Sequence, residues 1–369
     1  MKVQKIILPD TLRVSWMVID DNHLPLEPIQ KYLYYLESTG KSPNTIRSYA
    51  YHLKLYWEYL KDRSLQWDKI NIENLAFFLG WLQRNDHGKI ISIENRGIKR
   101  SEKTLNTILT AVTMMYDYHW RIGSVKFLNL YHQKPGTRTD YKSFLHHINK
   151  SQAIKAKLLK VKNTKRIPKI LTPKEVRIIV DSCSRLRDKF LVLLLYETGM
   201  RIGQALGLRH EDIHSWDNEI IINPWRENEN GARSKSDDEI KIHVSNELMQ
   251  LYTDYLLTEY GDIDSDYVFV NLWKGKIGSP LNYAAVISKF RSLTRKTGIK
   301  ITPHIFRHTH ATELLKDGWD MSHVQRRLGH KNIQTTINTY SHVTDDEYVK
   351  NEFKKYLEKK NGEWSQNTI

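Results

Sequence analysis

Along much of the chain, apolar residues recur at intervals of three and four. The stretch opened by Ser42-Pro43-Asn44-Thr45 has a hydroxyl cap and a proline at the first helical position. It continues with Ile46, Tyr49, Ala50, Leu53, Tyr56, Trp57 and Leu60 at helical spacing. A further helix is predicted over Glu73 to Leu82, and Ser101-Glu102-Lys103-Thr104 opens another, LNTILTAVTMMYDYHW. Ahead of these, Val14 to Pro28 predicts a short hairpin, VSWMVID then LPLEP, turning at Asp21-Asn22. The first part of the chain therefore reads as a helical bundle whose Tyr, Trp and Met stripes form its core.

The second part begins at Leu171-Thr172-Pro173-Lys174-Glu175, where Thr172 at N-cap and Glu175 at N3 make a capping box. A buried helix over Asp188 to Glu197 should stop at Thr198-Gly199. Alternating stretches at 219–223 and 239–244 predict strands joined by the polar loop 224–238, and helices resume near 245–260, 281–297, 303–316, 320–328 and 344–360. The fold class expected is mainly α with one small antiparallel sheet in the second domain. The boundaries expected are an extension at 1–24, a helical domain at 25–140, a linker at 141–170, a second domain at 171–345 and a tail helix at 346–369.

Composition narrows the functional classes. With 40% apolar and 11% aromatic residues in 369, the chain can bury a sizeable core, which excludes global disorder. Its longest apolar run, Phe190 to Tyr196, falls far short of the ~20 residues of a membrane span. The N-terminus MKVQKIILPD lacks an apolar signal region, and the single Cys183 suits a reducing compartment, so a cytoplasmic protein is expected. The net charge is +15, and ten of those charges fall between Tyr141 and Lys174 without one Asp or Glu. They include Lys142, Lys155, Lys157, Lys160, Lys162, Lys165, Arg166 and Lys169. A solvated linker and a strap along DNA phosphates are both compatible with such a run.

The densest chemistry lies in Thr302-Pro303-His304-Ile305-Phe306-Arg307-His308-Thr309-His310. His304 and Arg307, three apart at a helix start, share one face near the positive end of the helix dipole, a natural seat for phosphate. His308 and His310, two apart, cannot jointly hold a metal on a regular helix, and no zinc motif is present. Glu313, Asp317 and Asp320 are the carboxylates of residues 301–344, and they form no two-metal cluster. No cofactor or metal is expected.

This segment has company. Thr198-Gly199-Met200-Arg201 precedes it, and Leu328-Gly329-His330 follows, then Thr336-Ile337-Asn338-Thr339-Tyr340. Together these resemble the tyrosine recombinase (phage integrase) family, whose motifs run TGxR, a hairpin lysine, HxxR, LGH and a nucleophilic tyrosine. The basic strap and the TTINTYSH ending look closest to transposon-encoded members, of the kind carried by three-gene transposons. The resemblance implies a SAM-like core-binding domain followed by an α-rich catalytic domain. It further implies Tyr340 as nucleophile, forming a 3′-phosphotyrosyl link with DNA, and Arg201 and Arg307 as forks on the phosphate. His304 would accept the tyrosine proton, and His330 would donate to a non-bridging oxygen. Lys235, in Ser234-Lys235-Ser236, would be the general acid, preferred over Lys241 because a lysine within an alternating strand faces solvent. The family often has an acidic residue where Gln204 stands, and Asp212 is expected to cap the next segment.

The partners so implied are double-stranded DNA, a homotetramer assembled through the C-terminal tail, other transposon-encoded proteins and no membrane, with a place in the cytoplasm on the nucleoid. The alternatives are a type IB topoisomerase that rejoins the original strand and a DNA-binding regulator that keeps the fold without its chemistry.

Overall fold

The computed structural model describes residues 1–7, 14–83, 100–129, 131–134, 154–162, 168–234 and 238–340. The chain divides into two compact units, Met1–Lys165 and Arg166–Ile369.

The first unit begins with β1 (Lys2–Ile7) and β2 (Val14–Ile19), an antiparallel pair in the register Lys2 with Ile19. The hairpin expected over Val14 to Pro28 forms only in part. Asp20 accepts from the backbone of Asn22 and Leu24 to make the turn, but the returning arm contributes one bridge, Ile19 with Pro25. Pro25 has no N–H to extend a ladder, and α1 (Glu27–Ser38) starts two residues later. The main partner of β2 is thus the N-terminal segment, and Val18 lies in the helical core, so these strands are integral to the unit.

Ser42 caps α2 (Pro43–Asp62) through the Thr45 amide, α3 spans Ile72–Gln83, and Ser101 caps α4 (Glu102–Arg121). Their apolar faces meet in a core rich in tyrosine. Tyr56 and Tyr116, both buried, share a hydrogen bond of 2.8 Å, and Tyr116 donates onward to the Trp67 carbonyl, which leaves neither phenol unsatisfied.

The basic segment differs from a plain linker. β3 (Tyr131–Lys134) pairs antiparallel with β4 (Ile154–Lys157), inside the stretch expected to be linker. Beyond it, Asn106 on α4 brackets Val161, donating to its carbonyl at 2.8 Å and accepting from its amide at 2.9 Å. Leu159 and Val161 pack on the core of the first unit. The sequence IKAKLLKVK carries the reason: apolar residues interrupt the lysines often enough to give the segment an inner face. Lys160, Lys162 and Lys169 are exposed, and Lys155 and Lys157 belong to β4, while Lys142, Lys165 and Arg166 lie outside the described residues.

In the second unit the capping box forms as read: Thr172 and Glu175 exchange hydrogen bonds at the start of α5 (Pro173–Asp181). The buried α6 (Leu186–Thr198) is capped at its start by the Glu259 carboxylate, which accepts from the Leu186 and Arg187 amides. It ends at Gly199 in the left-handed conformation, φ 62°. After the one-turn α7 (Ile202–Ala205) come β5 (Ile213–His214), β6 (Glu219–Ile222) and β7 (Ile240–His243), an antiparallel sheet in that order. Asp212 accepts from the Arg209 amide and pairs with Arg226 at the entry to this sheet.

Then follow α8 (Asn246–Tyr255), a π-helical turn Leu256–Tyr260, α9 (Tyr283–Thr297), α10 (Pro303–Lys316), α11 (Met321–Leu328) and α12 (Ile333–Tyr340). α12 was not anticipated, since its TTINTY run is polar. The helix and tail expected beyond Tyr340 lie outside the described residues. No described helix is long and apolar enough to cross a membrane.

The Asn106 clamp leads to a stability prediction. Asn106→Ala leaves the Val161 amide and carbonyl without these partners and should cost about 1–3 kcal/mol. Urea unfolding of the full chain followed by tryptophan fluorescence checks this, and an unchanged midpoint would show that the bracket contributes nothing.

Candidate active site

Three helix ends converge in the second unit. Thr198-Gly199 terminates α6, and Arg201 follows as the residue preceding α7, its amide donating to the Gln204 side-chain carbonyl at 2.8 Å. α11 ends at Leu328, with Gly329 as a left-handed cap, φ 61°. Arg307, on the first turns of α10, projects between these ends. One of its terminal nitrogens donates to the Gly199 carbonyl at 2.8 Å, the other to the Leu328 carbonyl at 2.7 Å. Arg201 donates to the next carbonyl, Gly329, at 3.2 Å. Both guanidiniums are therefore held by the carbonyl ends of helices, where the backbone dipole is negative.

Among the described residues, no carboxylate figures in the electrostatics of either arginine. Burial, together with the nearby Arg201 charge, pushes Arg307 from 12.5 down to about 9, and burial lowers Arg201 as well. Two cations so close and so poorly solvated would be relieved by an anion, which makes their junction an anion site in waiting.

His330 follows the Gly329 cap. Its amide closes on the Gln325 carbonyl, and its Nδ1 lies 2.8 Å from the hydroxyl of Thr336, a fully buried residue of α12. That contact fixes the ring and leaves Nε2 for another partner. Burial, then Arg307 and Arg201, push His330 down to about 4, so it is neutral at pH 7.

Tyr340 ends α12 with only 1% of its surface exposed. Its hydroxyl lies 2.9 Å from Nδ1 of His308, one residue past Arg307 on α10. Burial pushes the phenol from 10.0 up to about 12, against the opposing pull of Arg307. His308 is pushed down to about 4 by burial and by His304 and Arg307. His304 itself stands exposed one turn earlier on the same helix.

The structure thus gathers Arg201, Arg307, His330 and Tyr340 around one junction, with His304 on the helix that supplies Arg307. Lys235 lies outside the described residues; the chain just before it, at Arg233 and Ser234, packs on α7. A Cβ on Gly203 would meet the Arg233 carbonyl at 2.6 Å, and the Gln204 amide donates to Ser234 at 3.3 Å. Gln204, where the resembled family often has an acid, ties the Arg201 backbone to the residue preceding Lys235. Lys241 is exposed on β7, 3.7 Å from Glu219. Among the described residues no group of three or more His, Cys, Asp or Glu side chains is arranged to hold a metal ion. Two residues beside the site have no place there in the sequence reading: Thr336 is given no role, and His308 is weighed only as half of a metal pair. His308 had a legible signal, since it stands four after His304 and so on the same helix face.

Comparison with known proteins fits this geometry. Residues 169–347 match the phage integrase family, and residues 29–122 match the phage integrase N-terminal SAM-like domain. Transposase A from transposon Tn554 of Staphylococcus aureus is 45% identical over 361 residues, covering 98% of this chain and 99% of that protein. The chain belongs to the phage integrase family. It is a tyrosine site-specific recombinase and acts on DNA. Tyrosine recombinase XerA of Thermococcus onnurineus is 28% identical over 323 residues, 86% of this chain and 91% of its own. Among solved structures, the Tn1549 transposon integrase in complex with transposon right-end DNA superposes with a TM-score of 0.62 at 18% identity, spanning 89% of this chain and 99% of that one. A lambda integrase dimer bound to a core site gives 0.55 at 17% identity over 87% and 95% of the two chains. These likenesses show that the recombinase fold runs through both units.

Two predictions about the recombinase follow from the convergence of helix ends. A Cβ on Gly199 would stand 2.7 Å from the His310 ring and 2.9 Å from Leu328, at a backbone angle that disfavours side chains. Gly199→Ala should cost about 2–4 kcal/mol and displace α10, which carries Arg307, and α11, which leads into His330. Thermal melting with a recombination assay checks this; a stable, fully active variant would contradict it.

The second concerns acid. His310 accepts from Arg327 at 3.0 Å, and Arg327 in turn donates to the Glu197 and His243 carbonyls, joining α6, β7, α10 and α11. Burial, with Arg327 and Arg307 alongside, pushes His310 from 6.5 down to about 3. The unfolded chain therefore takes up this proton first, so stability present above pH ~6.5 is lost as pH falls toward 3, about 2 kcal/mol of it by pH 5. His308 and His330 act in the same direction. Melting temperatures between pH 8 and 5 test the prediction, and a flat profile would rule it out.

Proposed function

We propose that the recombinase opens DNA by attack of Tyr340 on a scissile phosphate, forming a 3′-phosphotyrosyl bond and releasing a 5′-hydroxyl. A single observation carries this reading: two guanidiniums held by helix carbonyls, without a carboxylate among the described residues to neutralise them, beside a buried tyrosine hydroxyl. In the proposed step Arg201 and Arg307 bind the non-bridging oxygens and stabilise the charge that builds in the transition state. His330, its Nδ1 occupied by Thr336, offers Nε2–H to the same oxygens, and His304, at the start of α10, is the residue the resemblance gives for the tyrosine proton. Lys235 protonates the leaving 5′-oxygen. The covalent link stores the energy of the broken bond, so a partner strand's 5′-hydroxyl reverses the step without an external energy source.

Transposition is the biological setting that fits best, since the relative that is 45% identical over nearly the full chain is a transposase. The remaining features are assigned accordingly. Residues 25–140 would be the core-binding domain and 171–345 the catalytic domain, with the lysines from Lys142 to Lys169 neutralising phosphates. Four protomers would be linked by the tail at 346–369, other transposon-encoded proteins would assist, and the whole would work on the nucleoid in the cytoplasm. A topoisomerase would instead relax supercoiled DNA lacking any recombination site, and a regulator would form no adduct.

Two experiments test the chemistry. On a suicide duplex whose 5′ fragment is lost after cleavage, the wild type should accumulate a covalent adduct and Tyr340→Phe none; an adduct in that variant removes Tyr340 from its role. Lys235→Ala should slow cleavage about 100-fold or more. A 5′-bridging sulfur in the substrate, a leaving group that needs no proton, should restore most of that loss. Failure of the sulfur to rescue would assign the acid elsewhere.

A further inference from the structure

By the resemblance, the proton of Tyr340 passes to His304. The phenol is buried and protonated at neutral pH, so attack requires a base in contact with Oη. His304 fits this poorly as the sequence presents it, since its side chain is exposed at the start of α10. The hydroxyl instead lies 2.9 Å from Nδ1 of His308, a hydrogen-bonding distance, with the two rings 5.7 Å apart between centroids and tilted by 60°.

We infer that His308 is a catalytic residue of this recombinase: Nδ1 takes the Tyr340 proton as Oη attacks phosphorus and returns it when Oη leaves. The inference rests on Tyr340 being the nucleophile, as proposed above. Its bookkeeping is complete. The Oη–H bond breaks and the proton passes to Nδ1, giving an imidazolium. The Oη–P bond forms and the P–O5′ bond breaks, the 5′-oxygen taking its proton from the general acid. On religation a 5′-hydroxyl attacks phosphorus, the Oη–P bond breaks, and His308 gives its proton back to the phenolate.

Three features of the surroundings suit this role. First, His308 is neutral at pH 7, so with its hydrogen on Nε2 it presents a bare Nδ1 to the hydroxyl. Second, among the described residues the charged and titratable groups around it are His304 and Arg307 on its own helix, His330 in the turn after α11, and Tyr340 on α12. The cations among them disfavour an imidazolium while the site is empty. A phosphodiester seated on Arg201 and Arg307 offsets that charge, so the basicity of His308 rises when substrate is present. Third, His308 and Arg307 are adjacent on one rigid helix, and Arg307 is fixed by two carbonyls. Base and phosphate-binding fork therefore keep their spacing without adjustment.

The test is single-turnover cleavage of the suicide duplex by the full-length wild type and by His308→Asn, with DNA binding and melting temperature measured for both. Asparagine offers an oxygen near the place of Nδ1 and can hold the hydroxyl, but it cannot carry the proton. The variant should fold, bind DNA as the wild type does, and cleave about 100-fold more slowly at pH 7. Its rate should climb about tenfold per pH unit where the wild type is flat, because hydroxide replaces the missing base. Installing a ring-fluorinated tyrosine at 340 by semisynthesis, a more acidic phenol, should restore much of the loss in His308→Asn.

Cleavage by His308→Asn at the wild-type rate overturns the assignment. So does a loss that neither higher pH nor the fluorinated ring repairs, since that would make His308 a packing contact. Peptide mapping of the wild-type adduct separates this failure from the broader one. An adduct at Tyr340 leaves the nucleophile standing whatever His308 does, whereas an adduct at another residue overturns both.

Discussion

The second unit is organised around the capture of two guanidiniums by helix carbonyls. Arg307 reaches Gly199 and Leu328, Arg201 reaches Gly329, and so α6, α7, α10 and α11 are tied at one point. Had carboxylates done this work, they would have anchored the arginines equally well and cancelled the charge an incoming phosphate must find. Backbone dipoles hold the cations in place while leaving most of their charge available. The two glycines of the motifs, Gly199 and Gly329, make this possible, because each adopts the left-handed turn that bends the chain away and exposes the carbonyls at a helix end.

Neutral histidines complete the arrangement. His308, His310 and His330 are all pushed well below their ordinary 6.5, each by burial first and by neighbouring cations after it. A ring that stays uncharged can accept a hydrogen bond, and for His310 the neighbour specifies which nitrogen does so. Arg327 selects Nε2 of His310, and the Thr336 hydroxyl engages Nδ1 of His330. Arginine therefore carries the positive charge of the junction, and histidine supplies direction.

Much of this was legible in the chain. Local signals were sufficient where the structure is local: the Thr172–Glu175 capping box, the serine caps of α2 and α4, the stop at Gly199, and the strands β6 and β7. The family order of motifs put Arg201, Arg307, His330 and Tyr340 in one constellation, and folding gathers them at one junction. What escaped depended on distant partners. β2 takes its main pairing from a segment before it, so its own hairpin signal misled. The lysine run hid β4, because composition drew attention to charge while the pairing with β3 depends on residues 20 to 26 positions earlier. The short polar α12 is held by α11, not by propensity. The meeting of His308 with Tyr340 brings together side chains 32 positions apart, and no spacing rule predicts it.

Burial of the Tyr340 hydroxyl also bears on molecules far smaller than DNA. A cell is full of nucleotides, sugar phosphates and inorganic phosphate, all of which carry the group that the arginine junction is proposed to bind. Such molecules offer little surface beyond the phosphate, and so little binding energy with which to shift α12 or uncover a side chain only 1% exposed. On the function proposed above, a duplex that also engaged the basic segment and the first unit would have that energy to spare. On that function the sheltered phenol would separate polymer from metabolite by the size of the contact, before any base sequence is read.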